Sequence, residues 1–505
     1  MFWEWLHDRL GLLWLTLAPA LHLLAAALVT LHCSARRREA TSAILWILLA
    51  WFFPVAGVIL YLAFGVDHIP AHRWHRRTAD ARLREPGAAS EDGDQAALAT
   101  AYWRRMREAA VTPPEDTDAG LLNRALDPLA PDFPLLGGQA LTLHVSGPEA
   151  YPAMLRAIAA ARHHVHLQTF ILGYDDVARA FLEALLERAR AGVRVRVLYD
   201  RFGSTPARYS GMLRRYARAS PNLRVVGWTP VRPLRRRFHF NLRNHRKILV
   251  VDGRIGFTGG LNIHDVNADR PRRPASRDYQ FQVRGPAVHQ LQYTFLADWH
   301  YATREAAEDL LDAAHFPATP AAGESSARII NGGPDGDPPV LPDVFFNAIV
   351  SAHREILVAT PYFVPTPDLL RAFRSAALRG RRVRIVLPER NNHLLAGLAG
   401  RALYADLLDA GVRIFERRPP FLHAKALIVD DTLAMVGSAN LDTRSLRLHY
   451  ETNLAVFDPV WIDRLKRVLL EDLARSTEIE PTAWARRSPL QRIPENLAAL
   501  FAPLL

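Results

Sequence analysis

Two stretches of this chain share a spacing that confines the fold. NHRKILVVDG, Asn244 to Gly253, and FLHAKALIVDD, Phe421 to Asp431, each place His, one residue, Lys, four residues and Asp in the same order. The copies stay in step beyond that Asp. His245, Lys247 and Asp252 are followed by Gly259, Gly260 and Asn262; His423, Lys425 and Asp430 are followed by Gly437, Ser438 and Asn440. The interval from His to Asn is 17 residues in both (262 − 245 and 440 − 423). The copies lie 178 residues apart (423 − 245), a domain-sized period rather than a solenoid repeat. A chain built this way folds as two similar halves.

The surroundings are α/β in character. In the first half LTLHV reads as a strand, YPAMLRAIAAARH as a helix, VHLQTFIL as a strand, VARAFLEALLERARAG as a helix stopped at Gly192, and VRVRVLYD as a strand. The second half repeats the order with VFFNAIVSAHR, EILVATPYFV, LLRAFRSAALRG stopped at Gly380, and VRIVLP. Alternating strands and helices predict two α/β halves with mostly parallel or mixed sheets. The expected boundaries are 134–305 and 331–505, with a connector over 306–330. Residues 78–133 read as a linker with some helix, because EPGAASEDGDQ, Glu85 to Gln95, has a flexible composition.

The N-terminal segment, 1–77, is of another kind. No Asp, Glu, Lys or Arg occurs from Leu10 to Ala35, and a second such run covers Ala40 to Val66. A membrane-crossing helix needs about 20 mostly apolar residues, so the reading is a two-helix transmembrane hairpin. A signal peptide would have a shorter apolar core and a basic leader, whereas this leader carries Glu4 and Asp8. Arginines on the flanks, from Arg73 to Arg84, outnumber the three in the intervening loop, which places both termini and the large domain in the cytoplasm. The formal net charge of +12 favours anionic partners, and the single cysteine, Cys33, excludes an intramolecular disulfide and a cysteine-based zinc site.

The spacing has a chemical meaning. KILVV and KALIV are apolar and β-branched, so each His-x-Lys heads a strand, and residues i and i+2 of a strand face one side. Asp252 precedes Gly253 between apolar runs, the signature of a hairpin turn. Asp252 and Asp430 belong to the catalytic motif, yet their parity is opposite to His and Lys, and they read as turn anchors. The Gly-Gly and Gly-Ser pairs would let backbone approach a ligand closely, and Asn262 and Asn440 could donate amide hydrogens to an anion. If the halves meet face to face, two histidines, two lysines and two asparagines converge, a set suited to a phosphodiester. One neutral imidazole can attack phosphorus while the other passes a proton to the leaving alcohol. The lysines supply the positive charge, so neither metal nor cofactor is called for. Asp278 and Glu451, each opening a strand after its Gly-x-x-Asn segment, are the candidates for orienting the histidines.

These residues identify the chain as resembling the phospholipase D superfamily, whose signature is the duplicated HxKxxxxD segment, and within it the bacterial cardiolipin synthases. The resemblance covers nearly the whole chain: the hydrophobic hairpin, NHRKILVVDGRIGFTGGLNI, ATPYFVPTPDLL, FLHAKALIVDD with VGSANLDTRSLRLHYETNL, and ENLAALFAPLL. It implies two tandem phospholipase D-type α/β domains packed as a pseudo-dimer behind the hairpin, in a bacterial inner membrane. It implies transfer of a phosphatidyl group from one phosphatidylglycerol to another, with His245 and His423 as nucleophile and acid/base pair and Lys247 and Lys425 on the phosphate. Two places depart from the family pattern: HDVNADRPRRPASRD after GGLNI, and His449-Tyr450 where Asn-Phe is commoner.

Other readings are weaker. A hydrolytic phospholipase D would use the same residues with water as acceptor, and another lipid alcohol is a variant of it. A nuclease of the superfamily fits the basic charge but not the apolar N-terminus, so nucleic acid is not an expected partner. A non-catalytic scaffold has no use for two intact motifs. HHVH, His163 to His166, has no acidic or cysteine partner at ligand spacing and reads as a helix-to-strand junction. VRPLRRRFHF, Val231 to Phe240, reads equally as a headgroup contact or a solvated loop, and GGPDGD, Gly332 to Asp337, lacks the Lys-Ser/Thr of a nucleotide cradle.

Overall fold

The computed structural model describes residues 2–35, 40–53, 55–62, 102–228, 242–271, 273–334 and 339–502. The stretches Glu85 to Gln95 and Val231 to Phe240 lie outside them. The chain divides into two units: Met1–His72 with Val231–His239, and the remainder.

In the first unit the helix Phe2–Ser34 contains the stretch Leu17–Ser34, long and apolar enough to cross a membrane. The second apolar run differs from expectation. It forms two shorter helices, Ala40–Phe52 and Ala56–Leu60, and the sequence carries Pro54 between them, a residue that lacks the backbone donor of a helix interior. The two runs pack on each other through Val29, Cys33, Ala50 and Tyr61, and the Trp51 indole donates to Thr30 Oγ1 at 3.0 Å.

The second unit holds the repeats. Strands of the first half are β1 (Leu136–Val145), β2 (His164–Thr169), β3 (Arg194–Asp200), β4 (Leu223–Trp228), β5 (Ile248–Val251), β6 (Ile255–Gly259) and β7 (Tyr279–Arg284). Those of the second are β8 (Ser325–Gly332), β9 (Glu355–Ala359), β10 (Phe363–Val364), β11 (Arg382–Pro388), β12 (Arg413–Arg417), β13 (Ala426–Val429), β14 (Leu433–Gly437), β15 (Leu441–Asp442), β16 (Glu451–Val456) and β17 (Ser476–Glu478). From the middle outwards, the first half runs β1-β7-β6-β5-β2-β3-β4 and the second β8-β16-β14-β13-β9-β11-β12-β17. The seven inner positions correspond one to one. Antiparallel pairing of β1 with β8, Leu136 opposite Ala327, joins both into one mixed fifteen-stranded sheet. Strands β10 and β15 form a separate parallel pair.

Helices cover both faces. The long helices Ala287–Thr303 and Pro459–Ala474 share one apolar cluster with both halves of the sheet, through Phe295, Trp299, Trp461 and Leu465. The opposite face is split between two clusters, one under Ser146–Ala159 and Asp176–Arg190, the other under Val340–Val350 and Pro367–Leu378. Each large side chain buried there contributes about 1.5–3 kcal/mol. The predicted helix stops hold: Gly192 and Gly380 take φ values of 91° and 81°, which disfavour any side chain. Two boundaries are corrected. The expected connector contains the short helix Ala307–Leu310 and ends in β8, which starts at Ser325 because β1 needs a partner there. The end of the expected linker is part of the core, since Tyr102 stacks on Tyr293 at 4.5 Å and Met106 is buried.

Both motif aspartates are structural. Each follows the first strand of a hairpin with φ near +50°, and its carboxylate collects three backbone amides from the entry to the neighbouring strand. Asp252 accepts from Arg162, His163 and His164 at 2.8–2.9 Å, and Asp430 from His353, Arg354 and Glu355 at 2.7–2.9 Å. They are therefore removed from the reacting set in which the motif groups them. Asn tolerates this backbone conformation but loses the charge. Asp252→Asn and Asp430→Asn should each lower the unfolding free energy by about 1–3 kcal/mol. Urea titration of the detergent-solubilised protein measures this, and an unchanged midpoint contradicts the anchoring role.

Candidate active site

The two His-x-Lys segments lead directly into β5 and β13. Backbone bonds stitch each segment to the opposite half. The His245 amide donates to Tyr450 O at 2.9 Å, and the His423 amide donates to Arg277 O at 2.7 Å. The carboxylates follow the same exchange. Glu451, opening β16 of the second half, accepts from Nδ1 of His245 at 2.9 and 3.0 Å. Asp278, just before β7 of the first half, accepts from Nδ1 of His423 at 2.6 Å. Both carboxylates are fully buried. Each Nδ1 thus carries its proton toward a carboxylate, which leaves both Nε2 atoms as the reactive nitrogens.

The lysines are buried beside them. Lys247 Nζ donates to His245 O at 2.6 Å and lies 5.6 Å from the centre of the Phe170 ring; Lys425 Nζ donates to His423 O. Burial pulls Lys247 down to about 7, opposed by Glu451, and pulls Lys425 down to about 8, opposed by Asp278 and Glu451. Burial, then Lys247, Lys425 and His423, hold the His245 ring well below the usual histidine range. Burial and Lys425 lower His423 to about 4, against the pull of Asp278. Burial pushes Glu451 up, with Lys247 opposing. Each histidine feels both lysines, so all four groups share one field.

The glycine pairs serve a purpose other than the expected one. A Cβ on Gly260 would stand 2.1 Å from Asp278 Oδ1, and the equivalent Ser438 donates its hydroxyl to Glu451 Oε2 at 2.5 Å. The space admits the orienting carboxylates, not the backbone of a ligand site. The asparagines diverge. Asn262 Oδ1 accepts from the Ile171 amide at 3.1 Å, which leaves its amide nitrogen without a described partner. Asn440 gives its amide hydrogen to Ser445 Oγ at 3.2 Å, and its Oδ1 is buried without a partner.

Sequence reasoning missed the supports behind the histidines. Asp298, in the helix Ala287–Thr303, accepts from Arg246, Asn244 and Gln168 at 2.7, 2.9 and 2.7 Å. Its counterpart Asp472, in Pro459–Ala474, binds Arg417 at 2.9 Å and, from the other half, Arg277 at 2.8 Å and the Tyr279 hydroxyl. The available signal was an Asp inside an otherwise apolar helical face in each half, ADWH and EDLA. HHVH also gains a neighbour: His163, His164 and His315 bring ring nitrogens within 4.8 Å of one another. The Arg196 guanidinium lies 3.5 Å from His315 Nε2 and pairs with Glu305 at 2.5 Å, so a cation there would face its charge.

Paired His and Lys from two halves of one sheet define a phospholipase D-type site, and comparison with known proteins agrees. The family model described as cardiolipin synthase, phospholipase D-like domain, matches residues 154–299 and 345–473, and one described as phospholipase D-nuclease N-terminal matches 23–65. Cardiolipin synthase A of Pseudomonas putida (strain W619) is 35% identical over 96% of this chain and 97% of its own length. Cardiolipin synthase of Geobacillus kaustophilus is 33% identical over 94% and 91%. The crystal structure of phosphatidylserine synthase from Haemophilus influenzae Rd KW20 superposes with a TM-score of 0.58 at 15% identity, covering 76% of this chain and 98% of that one, a likeness of fold. The chain belongs to the cardiolipin synthase family of phospholipase D-like proteins.

The depressed lysines predict proton uptake. An anion in the site favours the charged lysines and raises their pKa values from about 7 and about 8. At pH 8, binding of inorganic tungstate should take up roughly one proton or more per site. Calorimetry in buffers of different ionisation enthalpy measures it. Lys247→Arg, always charged, should reduce the uptake. Zero uptake in the unsubstituted protein contradicts the depressed values.

Proposed function

We propose that this phosphatidyltransferase moves a phosphatidyl group between two phosphatidylglycerol molecules, giving cardiolipin and glycerol through a phosphatidyl-histidine. The reading rests on one observation above others: two imidazoles, each held at Nδ1 by a carboxylate of the opposite half, beside two buried lysines. Nε2 of one imidazole attacks phosphorus. The bond from phosphorus to the glycerol oxygen breaks as the other imidazolium gives that oxygen its proton. Negative charge growing on the non-bridging oxygens faces Lys247 and Lys425. The hydroxyl of the second lipid then returns a proton to that imidazole, and its oxygen attacks phosphorus as the phosphorus–nitrogen bond breaks. One phosphodiester is lost and one made, so no nucleotide is consumed.

Both rings are neutral before substrate arrives, which suits the attacking one. The incoming phosphodiester anion opposes the lysines' field and lets the other ring take up a proton. Asn262 supplies a further donor from its amide nitrogen. The apolar N-terminal helix associates the protein with a membrane, and we place it as a multi-pass protein of the bacterial inner membrane with the repeats in the cytoplasm, near anionic lipid.

His245→Ala and His423→Ala should each abolish turnover, by about 10³-fold or more, with the fold retained by circular dichroism. The assay is product analysis with phosphatidylglycerol as sole lipid. Phosphatidic acid as the only product would replace the transferase reading with hydrolysis. Rapid quench and peptide mapping of the covalent lipid identifies the attacking histidine.

A further inference from the structure

Three cationic or neutral-basic side chains border the His245 end of the site, and of these His449 has Nδ1 3.9 Å from Glu451 Oε1. Arg243 precedes the first motif, and its carbonyl accepts from the Tyr450 amide at 2.9 Å, which brings it beside the second half. Its guanidinium lies over the ring of Phe202, 4.3 Å from the centre, and Phe202 is 64% exposed. Arg444 comes from the second half, in the helix Thr443–Arg447, and its carbonyl accepts from the His449 amide at 2.9 Å. Among the described residues, neither guanidinium makes an ion pair or a side-chain hydrogen bond, and Arg444 Nε is shielded from solvent as well. His449 has its ring centre 5.9 Å from that of His245, and neither ring nitrogen has a hydrogen-bond partner.

The neighbouring carboxylates make their hydrogen bonds to other groups. Asp200 accepts from the amides of Phe202, Gly203 and Asn244. Asp442 caps its helix at the Ser445 amide, and Glu451 holds His245. Two arginines from different halves thus stand near each other, Arg243 favoured by the charge of Asp200 and opposed by that of Arg444, and neither closes an ion pair among the described residues. Two guanidinium groups with no ion pair of their own can receive an anion between them.

We propose that Arg243, Arg444 and His449 bind the phosphodiester of the acceptor lipid. The inference rests on the transfer reaction argued above. In that reaction the donor's phosphorus sits among His245, His423, Lys247 and Lys425. The acceptor's own phosphate lies one glycerol away from the attacking hydroxyl. In the product a bridge of three carbons and two oxygens separates the two phosphorus atoms, a span comparable with the 5.9 Å between the His245 and His449 rings. Guanidinium forks recognise non-bridging phosphate oxygens in pairs, and the His449 imidazole, whose ring nitrogens make no hydrogen bond, adds a donor. The site selects an anionic lipid alcohol over water or a neutral alcohol by holding the charge that only the lipid brings.

The test separates acceptors. The full-length protein is given vesicles of phosphatidylglycerol and phosphatidylcholine together with radiolabelled glycerol. Cardiolipin reports an anionic lipid acceptor. Labelled phosphatidylglycerol reports capture of the same phosphatidyl-enzyme by free glycerol, which is uncharged. In Arg243→Gln and Arg444→Gln the ratio of cardiolipin to labelled phosphatidylglycerol should fall by about ten- to a hundredfold, the effect of losing a charge-assisted hydrogen bond. Arg444→Lys should retain much of the ratio. The two arginines lie on different halves, so a folding defect at one leaves the other readable. An unchanged ratio in both glutamine variants, or equal loss of both products, overturns the site. A wild-type protein that incorporates glycerol yet makes no cardiolipin overturns the reaction itself, a result read before any variant is made.

Discussion

A carboxylate carried by one half holds Nδ1 of the imidazole carried by the other, and the arrangement occurs twice, Glu451 on His245 and Asp278 on His423. The rest of the unit is arranged around this exchange. Neither half contains a complete set: separated, each would keep a histidine and a lysine and lose the group that fixes its ring. Taking a carboxylate out of water is costly unless donors replace the lost solvation. Here the donors are the imidazole, the Ser438 hydroxyl for Glu451 and the Tyr279 amide for Asp278.

The exchange demands a rigid junction, and the fold supplies it at three levels. The β1–β8 pairing makes the two sheets one. The helices Ala287–Thr303 and Pro459–Ala474 share a single apolar cluster across both halves. Asp298 and Asp472 then tie the backbone on either side of the histidines through buried arginines, with Arg246 reaching Glu451 O and Gly332 O of the second half at 3.2 Å. Buried lysines beside neutral rings are unfavourable in isolation. In the reaction proposed above they form a site whose free energy would improve on entry of a phosphodiester, so that substrate would relieve the strain folding tolerates there.

Much of this was legible in the chain. The α/β alternation, the duplication and the glycine stops at Gly192 and Gly380 follow from local periodicity and backbone sterics, which need no knowledge of distant contacts. The hairpin turn at Asp252 is equally local. The connector and linker were misread because β8 and Tyr102 owe their order to partners in β1 and at Tyr293, which no window of sequence contains. The second apolar run has the composition of one long helix, and a single proline divides it. The glycine pairs announced a close approach, but not what approaches.

By itself the sequence determined which groups are candidates for the chemistry: two histidines and two lysines at matched intervals, with two carboxylates at comparable ones, because motif spacing along a strand decides which side chains share a face. Only the tertiary structure decided the pairing. Spacing within a half cannot distinguish a carboxylate that serves its own histidine from one that serves its neighbour's; that depends on which strands meet at the β1–β8 seam. The same seam brings Arg243 and Arg444 beside His449, a juxtaposition of residues some 200 positions apart (444 − 243 = 201) that no local pattern encodes.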